Sequence, residues 1–505
     1  MRLNQRKTGV VLTYVSEAIK ILSTLIYTPV MLRLLGKNEY GLYQVVNSTV
    51  AYLSLLSLGF GSAYVRYYSK YKVKNDEEGI ARLNGMFMTV FCVLSAICVI
   101  CGSVMTANAK VIFGDGLTAE EVEKAKVLMM ILIFSMAITF PKSVFNCYIT
   151  AHEEFVFQKL LIVLQNLFNP FLTLPLLLLG YGSVAVVAVS AFLTLVIFVA
   201  NAIFCLKKLK MKFCFRGFQF SLLREMWVFT FFIFLNQIID QINWSVDKFL
   251  LGRMSGTAAV AVYGIGGQIN TLYVHMATAV SNVFVPKVNR LVEESDDNKA
   301  LTGLMIRVGR IQLLILALIV VGFVFLGRPF VQLWAGAGYE ESYLVALWLI
   351  IPVSIPLIQN LGIEIQRAKN KHRVRSVVYA CLAVANLVLS IFLIRWFGCV
   401  GAAVGTAVAL FVGNGLFMNW YYHKKIGLNM LAFWKSMASF ILPLLAMFLF
   451  GGIYVYFVDV SGWIMFLISA AIFAAVYCVV MWLLGMNKYE KQLVRKMLRK
   501  LPGVK

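Results

Sequence analysis

Runs of about 20 apolar residues recur along the whole chain, separated by short polar segments. A helix needs a run of about this length to cross the roughly 30 Å of hydrocarbon in a bilayer. The runs are continuous rather than alternating, which excludes a membrane β-barrel. The fold class is therefore predicted to be all-α, a polytopic membrane protein with about 14 transmembrane helices. The predicted spans are 9–34, 38–65, 84–108, 124–150, 157–180, 183–206, 226–251, 257–285, 302–326, 341–366, 375–396, 400–422, 436–458 and 462–485.

Composition and charge support a membrane protein and give its orientation. Only 14% of residues are charged, whereas a soluble domain carries about a quarter. With a cytoplasmic N-terminus, 36 of the 46 Lys and Arg residues fall on the cytoplasmic side, which predicts that both termini are cytoplasmic. The net charge of +23 is therefore attributed to loops that face anionic membrane lipid, and no nucleic-acid partner is expected. Apart from Cys98 and Cys101, which are three residues apart in an apolar span, the nine cysteines have no paired spacing, and they are interpreted as small buried apolar residues.

The two halves of the chain resemble each other. Four residue pairs keep an offset of 216 or 217: Gly36 with Gly252, Ala151 with Ala368, Asn169 with Asn386, and Gly182 with Gly398. Each repeat contains six predicted spans, so both halves would have the same orientation in the membrane. The predicted domains are an N-terminal six-helix lobe at 1–215, a C-terminal six-helix lobe at 216–430, transmembrane helices 13 and 14 at 431–485, and a basic amphipathic cytoplasmic tail at 486–505.

Polar residues lie inside several predicted spans, although each charged group at a bilayer centre costs at least about 2.5–3.5 kcal/mol. They recur at helical spacing, which places them on one face of each helix. Lipid cannot face these stripes, so we expect them to line a wet cavity between the lobes and to bind substrate. The candidates are Thr13, Glu17, Lys20, Thr24 and Tyr27 in span 1, Asn236, Asp240, Asn243, Trp244, Asp247 and Lys248 in span 7, and Gln268, Thr271 and His275 in span 8.

Structural roles remain open for the individual charges. Glu17 and Lys20 are one turn apart and could neutralise each other, and Asp247 and Lys248 could form pairs near the outer interface. His275 could be a hydrogen-bonded packing residue rather than a proton carrier. Arg310, near a cytoplasmic helix end, is expected to extend to the interface or to act as an orientation signal.

The C-terminal tail has apolar residues on one helical face among basic residues. This pattern predicts a helix lying on the membrane surface, with a partner-binding helix as the alternative. The chain contains no GxxxxGK[ST] or HExxH motif, and its one CxxC spacing, Cys98 and Cys101, lies within an apolar predicted span. An enzyme, a metal site and a cofactor are therefore not expected.

Two segments, LLGKNEYGLY and VDKFLLGRMSGTAAVAVYGIG, together with the span count and the repeat, carry a family resemblance. The chain resembles the polysaccharide transporter family, which includes the O-antigen-unit flippases and belongs to the multidrug/oligosaccharidyl-lipid/polysaccharide exporter superfamily. The resemblance implies a flippase that moves an undecaprenyl-diphosphate-linked oligosaccharide (an O-antigen, capsule or exopolysaccharide unit) across the bacterial cytoplasmic membrane by alternating access. A polysaccharide polymerase or chain-length complex would be a partner.

Such a substrate suits the polar stripes. Lys20, with Lys248 and Arg253 as further candidates, would bind the diphosphate, and the uncharged polar residues would bind the glycan. The acidic residues Glu17, Asp240 and Asp247 would either balance these bases or bind a coupling cation.

Two other functions compete with this interpretation. A drug/cation antiporter of the same superfamily is disfavoured by spans 13 and 14 and by the Glu17–Lys20 pairing. A membrane-embedded polysaccharide polymerase or glycosyltransferase is disfavoured because the chain has neither a large outer loop nor a nucleotide-sugar domain.

Overall fold

The computed structural model describes residues 5–57, 59–216, 220–295, 297–369, 371 and 373–498, and for some residues within helices it describes the backbone alone. In this part of the chain every regular element is a helix, which confirms the all-α prediction. The α-helices are α1 Gln5–Leu35, α2 Lys37–Val50, α3 Phe60–Val73, α4 Glu77–Ala107, α5 Ala109–Phe113, α6 Ala119–Ala151, α7 Phe155–Leu178, α8 Gly182–Ile203, α9 Phe220–Ser255, α10 Thr257–Asn282, α11 Val285–Glu294, α12 Asn298–Ala335, α13 Glu341–Ile358, α14 Asn360–Ala368, α15 Arg373–Leu410, α16 Met418–Tyr421, α17 Met430–Ala438, α18 Ile441–Phe457, α19 Trp463–Val480 and α20 Lys488–Leu498. Short 3₁₀ segments lie at Ala51–Ser57 and Gly114–Gly116, and π-helical segments at Phe204–Lys208, Phe411–Phe417, Tyr422–Ile426 and Met481–Gly485.

Ten helical stretches within the described residues are long and apolar enough to cross a membrane. One of them, Val374–Ile426, contains the two predicted spans 375–396 and 400–422. Three other predicted spans fall on α2–α3, α9 and α10, which are not among the ten. The first of these three is divided into short helices, and the other two carry polar stripes. The chain is a multi-pass membrane protein, and the count of 14 spans stays a prediction.

The packing of Cα atoms divides the chain into two units, Met1–Ala261 and Val262–Lys505. Helix α9 packs in the first unit, mainly against α2, although the sequence repeat assigns it to the second half. Gly252 of α9 makes this approach possible, because a Cβ atom there would lie 2.7 Å from Val45 of α2. Gly41 of α2 likewise leaves room for the backbone of Thr257 at the start of α10. The predicted boundaries at 215, 430 and 485 rest on the repeat and the hydropathy, and they stay predictions.

Equivalent contacts recur in the two halves. Asn169 Nδ2 donates to Ser190 Oγ at 3.1 Å, and Asn386 Nδ2 donates to Thr406 Oγ1 at 3.3 Å. Donor and acceptor are thus each displaced by the repeat offset of 216 or 217. Gly182 and Gly398 also match, with φ of +58° and +55°, respectively. Gly398 interrupts α15, so this element consists of two helices, in agreement with the predicted break between spans 11 and 12.

One pairing of the repeat is wrong. Gly36 precedes α2 with φ +76°, and the residue in the matching place before α10 is Gly256, with φ +82°. Gly252 instead lies inside α9, which continues to Ser255. The second half therefore has about one additional helical turn between its Leu-Leu-Gly sequence and the end of the helix. A match of these three residues alone does not reveal this turn.

A carboxylate joins three helices of the first unit near the start of α2. Glu39 Oε1 accepts from Lys124 Nζ of α6 and from the Ser183 backbone N–H of α8, both at 2.6 Å. In the second unit the corresponding helix start contains Cys399, whose Sγ lies 3.1 Å from Glu341 Oε2. A carboxylate at the N-terminus of a helix interacts favourably with its free N–H groups and its dipole.

Arg310 of α12 is a buried connection to the C-terminal helices. Its Nε and Nη2 donate to the two carboxylate oxygens of Glu490 in α20, and Nη2 also donates to the Gly485 carbonyl oxygen at 2.9 Å. Its Nη1 donates to the Ser436 carbonyl oxygen at 2.7 Å and to Ser439 Oγ at 2.6 Å. These bonds use all five N–H groups of the guanidinium. Its side chain is only 6% exposed, so the expectation that Arg310 extends to the interface is wrong.

The helices α18 and α19 pack on α12 around an apolar core. Its fully buried members include Phe440, Met447, Phe473 and Met481. Tyr477 Oη donates to the Leu314 carbonyl oxygen at 2.7 Å, and Gly451 lets α18 lie directly against Phe325. The C-terminal pair of helices is therefore an integral part of the second unit.

We expect Arg310→Met to lower the apparent unfolding temperature of the detergent-solubilised protein strongly. The substitution strands the Glu490 carboxylate in a buried site, and removal of one partner of a buried ion pair costs about 3–5 kcal/mol. The double variant R310M/E490M should recover part of the loss, since it buries no unpaired charge. Arg395→Met, at an exposed position of α15 in the same unit, is the control and should change little. A double variant no more stable than the single one would contradict this account.

Candidate functional site

The polar residues of span 1 lie on α1, which packs mainly against α7. Lys20 is exposed, and Thr13, Glu17, Thr24 and Tyr27 are partly buried. The Tyr27 hydroxyl lies beside Thr173 of α7 and near Tyr43 of α2. The stripe is therefore partly covered by protein, with the Lys20 ammonium at its accessible position.

Span 7 is the helix α9. The side chains of Asn236, Asp240 and Trp244 lie outside the described part of the structure, so their predicted roles are untested there. Asn243 is partly buried, and Asp247 is only 1% exposed. Burial does not give the depth of Asp247 in the membrane, so its pairing near the outer interface stays a prediction.

Lys248 joins α9 to α2 through a chain of hydrogen bonds. Its Nζ donates to Gln44 Oε1 at 3.0 Å, and Gln44 Nε2 donates to Tyr40 Oη at 2.7 Å. The carboxylate of Asp247, the neighbouring residue, interacts electrostatically with Tyr52 of the 3₁₀ segment after α2. We call Tyr40, Gln44, Tyr52, Asp247 and Lys248 the buried polar cluster.

The buried polar cluster contains partners that the sequence did not identify. Gln44 was recognised as polar, but nothing in the sequence indicated that it holds Lys248, 204 residues away. Tyr40 and Tyr52 were not identified at all. The i, i+4 spacing of Tyr40 and Gln44 was an available signal, because it places both residues on one face of α2.

Arg253, the third basic candidate, lies at the end of α9. Its Nη1 donates to the Ile112 carbonyl oxygen of α5 at 3.3 Å, and its side chain packs beside Gly114. Arg253 thus fastens the segment between α5 and α6 to α9. This contact favours a structural role over one in phosphate binding.

The span 8 residues lie on α10. Thr271 is exposed and its hydroxyl donates to the Gly267 carbonyl oxygen, whereas Gln268 and His275 are partly buried. Asn270 was not predicted as a site residue, yet it is only 2% exposed and its Oδ1 accepts no hydrogen bond among the described residues. In the first unit, Tyr52 Oη and Gln237 Oε1 are likewise buried without a hydrogen bond in the described structure.

An apolar cavity of about 350 Å³ lies in the second unit, and the sequence analysis does not predict it. It is bounded by α10, α12, α13 and α19, with Met276, Phe323, Phe330 and Phe466 among its lining residues. Tyr273 also lines it, but its hydroxyl is hydrogen-bonded to Ser354 at 2.6 Å. The cavity therefore offers almost purely apolar contacts.

The described residues include no cluster of three or more His, Cys, Asp or Glu side chains that could hold a metal ion. The interpretation of the cysteines as buried residues holds for Cys98, Cys205 and Cys399. It is wrong for four cysteines that are exposed on the surface of the protein: Cys92, Cys101, Cys381 and Cys478.

Sequence comparisons connect the chain to polysaccharide export. A sequence model of a family described as polysaccharide biosynthesis protein matches residues 7–292, more than half of the chain. The chain is 21% identical to the uncharacterized membrane protein EpsK of Bacillus subtilis (strain 168), covering 94% of each chain. It is 18% identical to a putative O-antigen transporter of Shigella flexneri, covering 77% of this chain and 91% of the other.

Two solved structures share the fold. The lipid II flippase MurJ in an inward closed conformation matches with a TM-score of 0.75 at 16% identity, covering 96% of this chain and 99% of the other. An inward-facing MATE family multidrug resistance transporter of the MOP superfamily matches with a TM-score of 0.65 at 15% identity, covering 84% and 99%. The fold predicted from the sequence resemblance is therefore confirmed.

We expect Gln44→Leu to destabilise the protein, because it removes the hydrogen-bond acceptor of a partly buried ammonium group at a cost of about 1–3 kcal/mol. Thermal unfolding in detergent measures the effect. The double variant Q44L/K248M should be more stable than Q44L, since it also removes the stranded charge. Asn47→Leu, at an exposed position of the same helix, serves as the control. Equal stability of Q44L and Q44L/K248M would refute this role of Lys248.

Proposed function

Because the chain belongs to the polysaccharide biosynthesis protein family, we propose that it moves an undecaprenyl-diphosphate-linked oligosaccharide from the cytoplasmic to the outer leaflet of the cytoplasmic membrane. The chain is a multi-pass membrane protein that shares its fold with transporters, one of them of the MOP superfamily, and this likeness supports a transport function. We further propose that this movement occurs by alternating access.

Buried polar side chains in an otherwise apolar protein are the observation that carries this proposal. An unbonded buried polar atom costs about 1–3 kcal/mol, so retaining Tyr52 Oη, Gln237 Oε1 and Asn270 Oδ1 needs a reason. A glycan offers many hydroxyl groups that both donate and accept hydrogen bonds. Contact with a glycan in transit would relieve the cost that these atoms carry.

Lys20 is the basic residue that we assign to the diphosphate. Lys248 donates a hydrogen bond to Gln44, and Arg253 donates one to a backbone carbonyl oxygen. Both residues therefore have a structural role within the first unit. Lys20 is exposed on α1 and near the middle of the predicted span. An ammonium there provides the charge-assisted hydrogen bonds that a diphosphate needs once it leaves the headgroup region.

The apolar cavity of the second unit suits the prenyl chain of the same substrate. Its lining consists of aliphatic and aromatic side chains, and the Tyr273 hydroxyl among them is already hydrogen-bonded to Ser354. Contact with this cavity would keep part of the prenyl chain away from the polar side chains. The uneven distribution of Lys and Arg supports cytoplasmic termini.

Complementation of a flippase-deficient bacterial strain tests the proposal. We expect K20Q to reduce surface glycan at least about tenfold, because the diphosphate loses its charged partner. K20R keeps the charge and should retain most of the export. Immunoblotting of the membrane fraction must show equal amounts of both variants.

Two outcomes would contradict the proposal. Export by K20Q at the level of the unchanged protein would remove Lys20 from the substrate site. Failure of the unchanged protein to restore glycan, combined with increased resistance of the host to cationic drugs, would favour the drug/cation antiporter.

A further inference from the structure

The exposed charge of α20 is entirely basic. Glu490 is its one acidic residue, and it is 3% exposed because both of its carboxylate oxygens bind Arg310. The Asn487 backbone N–H also donates to Glu490, at 2.9 Å. The remaining charged side chains of the helix are Lys488, Lys491, Arg495 and Lys496. Docking of α20 on α12 therefore conceals its negative charge and leaves its positive charges outward.

Two of these basic groups are held over one aromatic ring. Lys491 Nζ lies 5.9 Å and Arg495 Cζ lies 5.6 Å from the centroid of the Trp482 ring, in the π-helical segment that ends α19. Lys488, Lys491 and Arg495 follow an i, i+3, i+7 spacing, so they share one face of α20. Cation–π contacts of this kind place the charges beside the end of a membrane-spanning helix.

Exposed apolar side chains follow Trp482 directly. Leu483 and Leu484 are 67% and 54% exposed, respectively, and belong to the last turn of a candidate transmembrane segment, Trp463–Gly485. Exposed apolar side chains, an indole and basic groups thus lie together at the end of this candidate transmembrane segment. This order matches the order of acyl chain, interface and headgroup in one leaflet.

We propose that Trp482, Lys491 and Arg495 form a binding site for an anionic glycerophospholipid. This lipid would belong to the leaflet that contains the C-terminal end of the segment Trp463–Gly485. Lys491 and Arg495 bind the headgroup phosphate, Trp482 lies at the interface, and Leu483 and Leu484 contact the acyl chains. Arg310 and Glu490 are positioning residues, because they hold α20 against α12. A soluble phosphate would gain nothing from the leucines, which is why we assign the site to a lipid.

Lipid titration of the purified full-length protein in detergent tests this proposal. Native mass spectrometry counts bound phosphatidylglycerol and phosphatidylcholine, and the unfolding temperature is recorded in parallel. We expect the unchanged protein to retain phosphatidylglycerol preferentially. K491Q/R495Q should bind it about 30-fold more weakly, because each basic residue near an anionic surface contributes about fivefold in affinity.

Two matched variants separate the site from general charge effects. K491R/R495K keeps both charges and should bind phosphatidylglycerol like the unchanged protein. K424Q/K425Q removes two exposed charges elsewhere in the same unit, where no aromatic contact is described, and should leave the tight site intact. Unfolding temperatures measured without lipid identify any variant that has lost its fold. W482L, which leaves the charge of the site unchanged, is a second test and should also weaken the binding of phosphatidylglycerol.

Three results would overturn the proposal. One is equal retention of phosphatidylglycerol and phosphatidylcholine by the unchanged protein. Another is a loss of phosphatidylglycerol in K424Q/K425Q as large as that in K491Q/R495Q. The third is displacement of the lipid by glycerol 3-phosphate at equal concentration, which would identify a site for phosphate alone.

Discussion

Hydrocarbon offers no hydrogen-bond partner, so a membrane-spanning chain must satisfy its buried polar groups from within. The simplest solution occurs at the hydroxyls of Thr49 and Thr106, which donate to the carbonyl oxygens one turn earlier in their own helices. Between helices the solution needs two matched positions, as in the Asn169–Ser190 contact and its counterpart in the second half. The same constraint gives significance to the buried polar atoms that have no hydrogen bond within the described residues, such as Asn270 Oδ1.

The described structure separates two kinds of intramembrane charge. Lys248 is committed to Gln44, and the carboxylate of Glu39 is committed to a lysine and a helix start, so both join helices. Lys20 lies on an exposed position of α1. Sequence position alone does not distinguish these cases, since Lys20 and Lys248 both lie inside predicted spans. The partner decides whether a charge stabilises the fold or remains available for a ligand.

Hydropathy and self-similarity predicted the class of fold, the break at Gly398 and the equivalence of Asn169 and Asn386. These features depend on local apolar length or on letters retained in both halves. The Arg310–Glu490 pair and the Lys248–Gln44 contact escaped prediction, because they depend on which helix faces which. Their partners are separated by 180 and 204 residues. An apolar profile contains no information about such pairings, and the same holds for the cavity between α10 and α19.

The Arg310–Glu490 pair also has a consequence for biosynthesis. Ribosomes add about 5–20 residues per second, so Glu490 emerges on the order of ten to forty seconds after Arg310, given their separation of 180 residues. During this interval α12 must enter the membrane with an arginine whose carboxylate partner has not been made. The serines that bind the same guanidinium arrive earlier, at separations of 126 and 129 residues. A ribosome that stops before Glu490 would thus release a chain whose second unit contains an uncompensated charge, and this charge distinguishes an unfinished chain from a complete one.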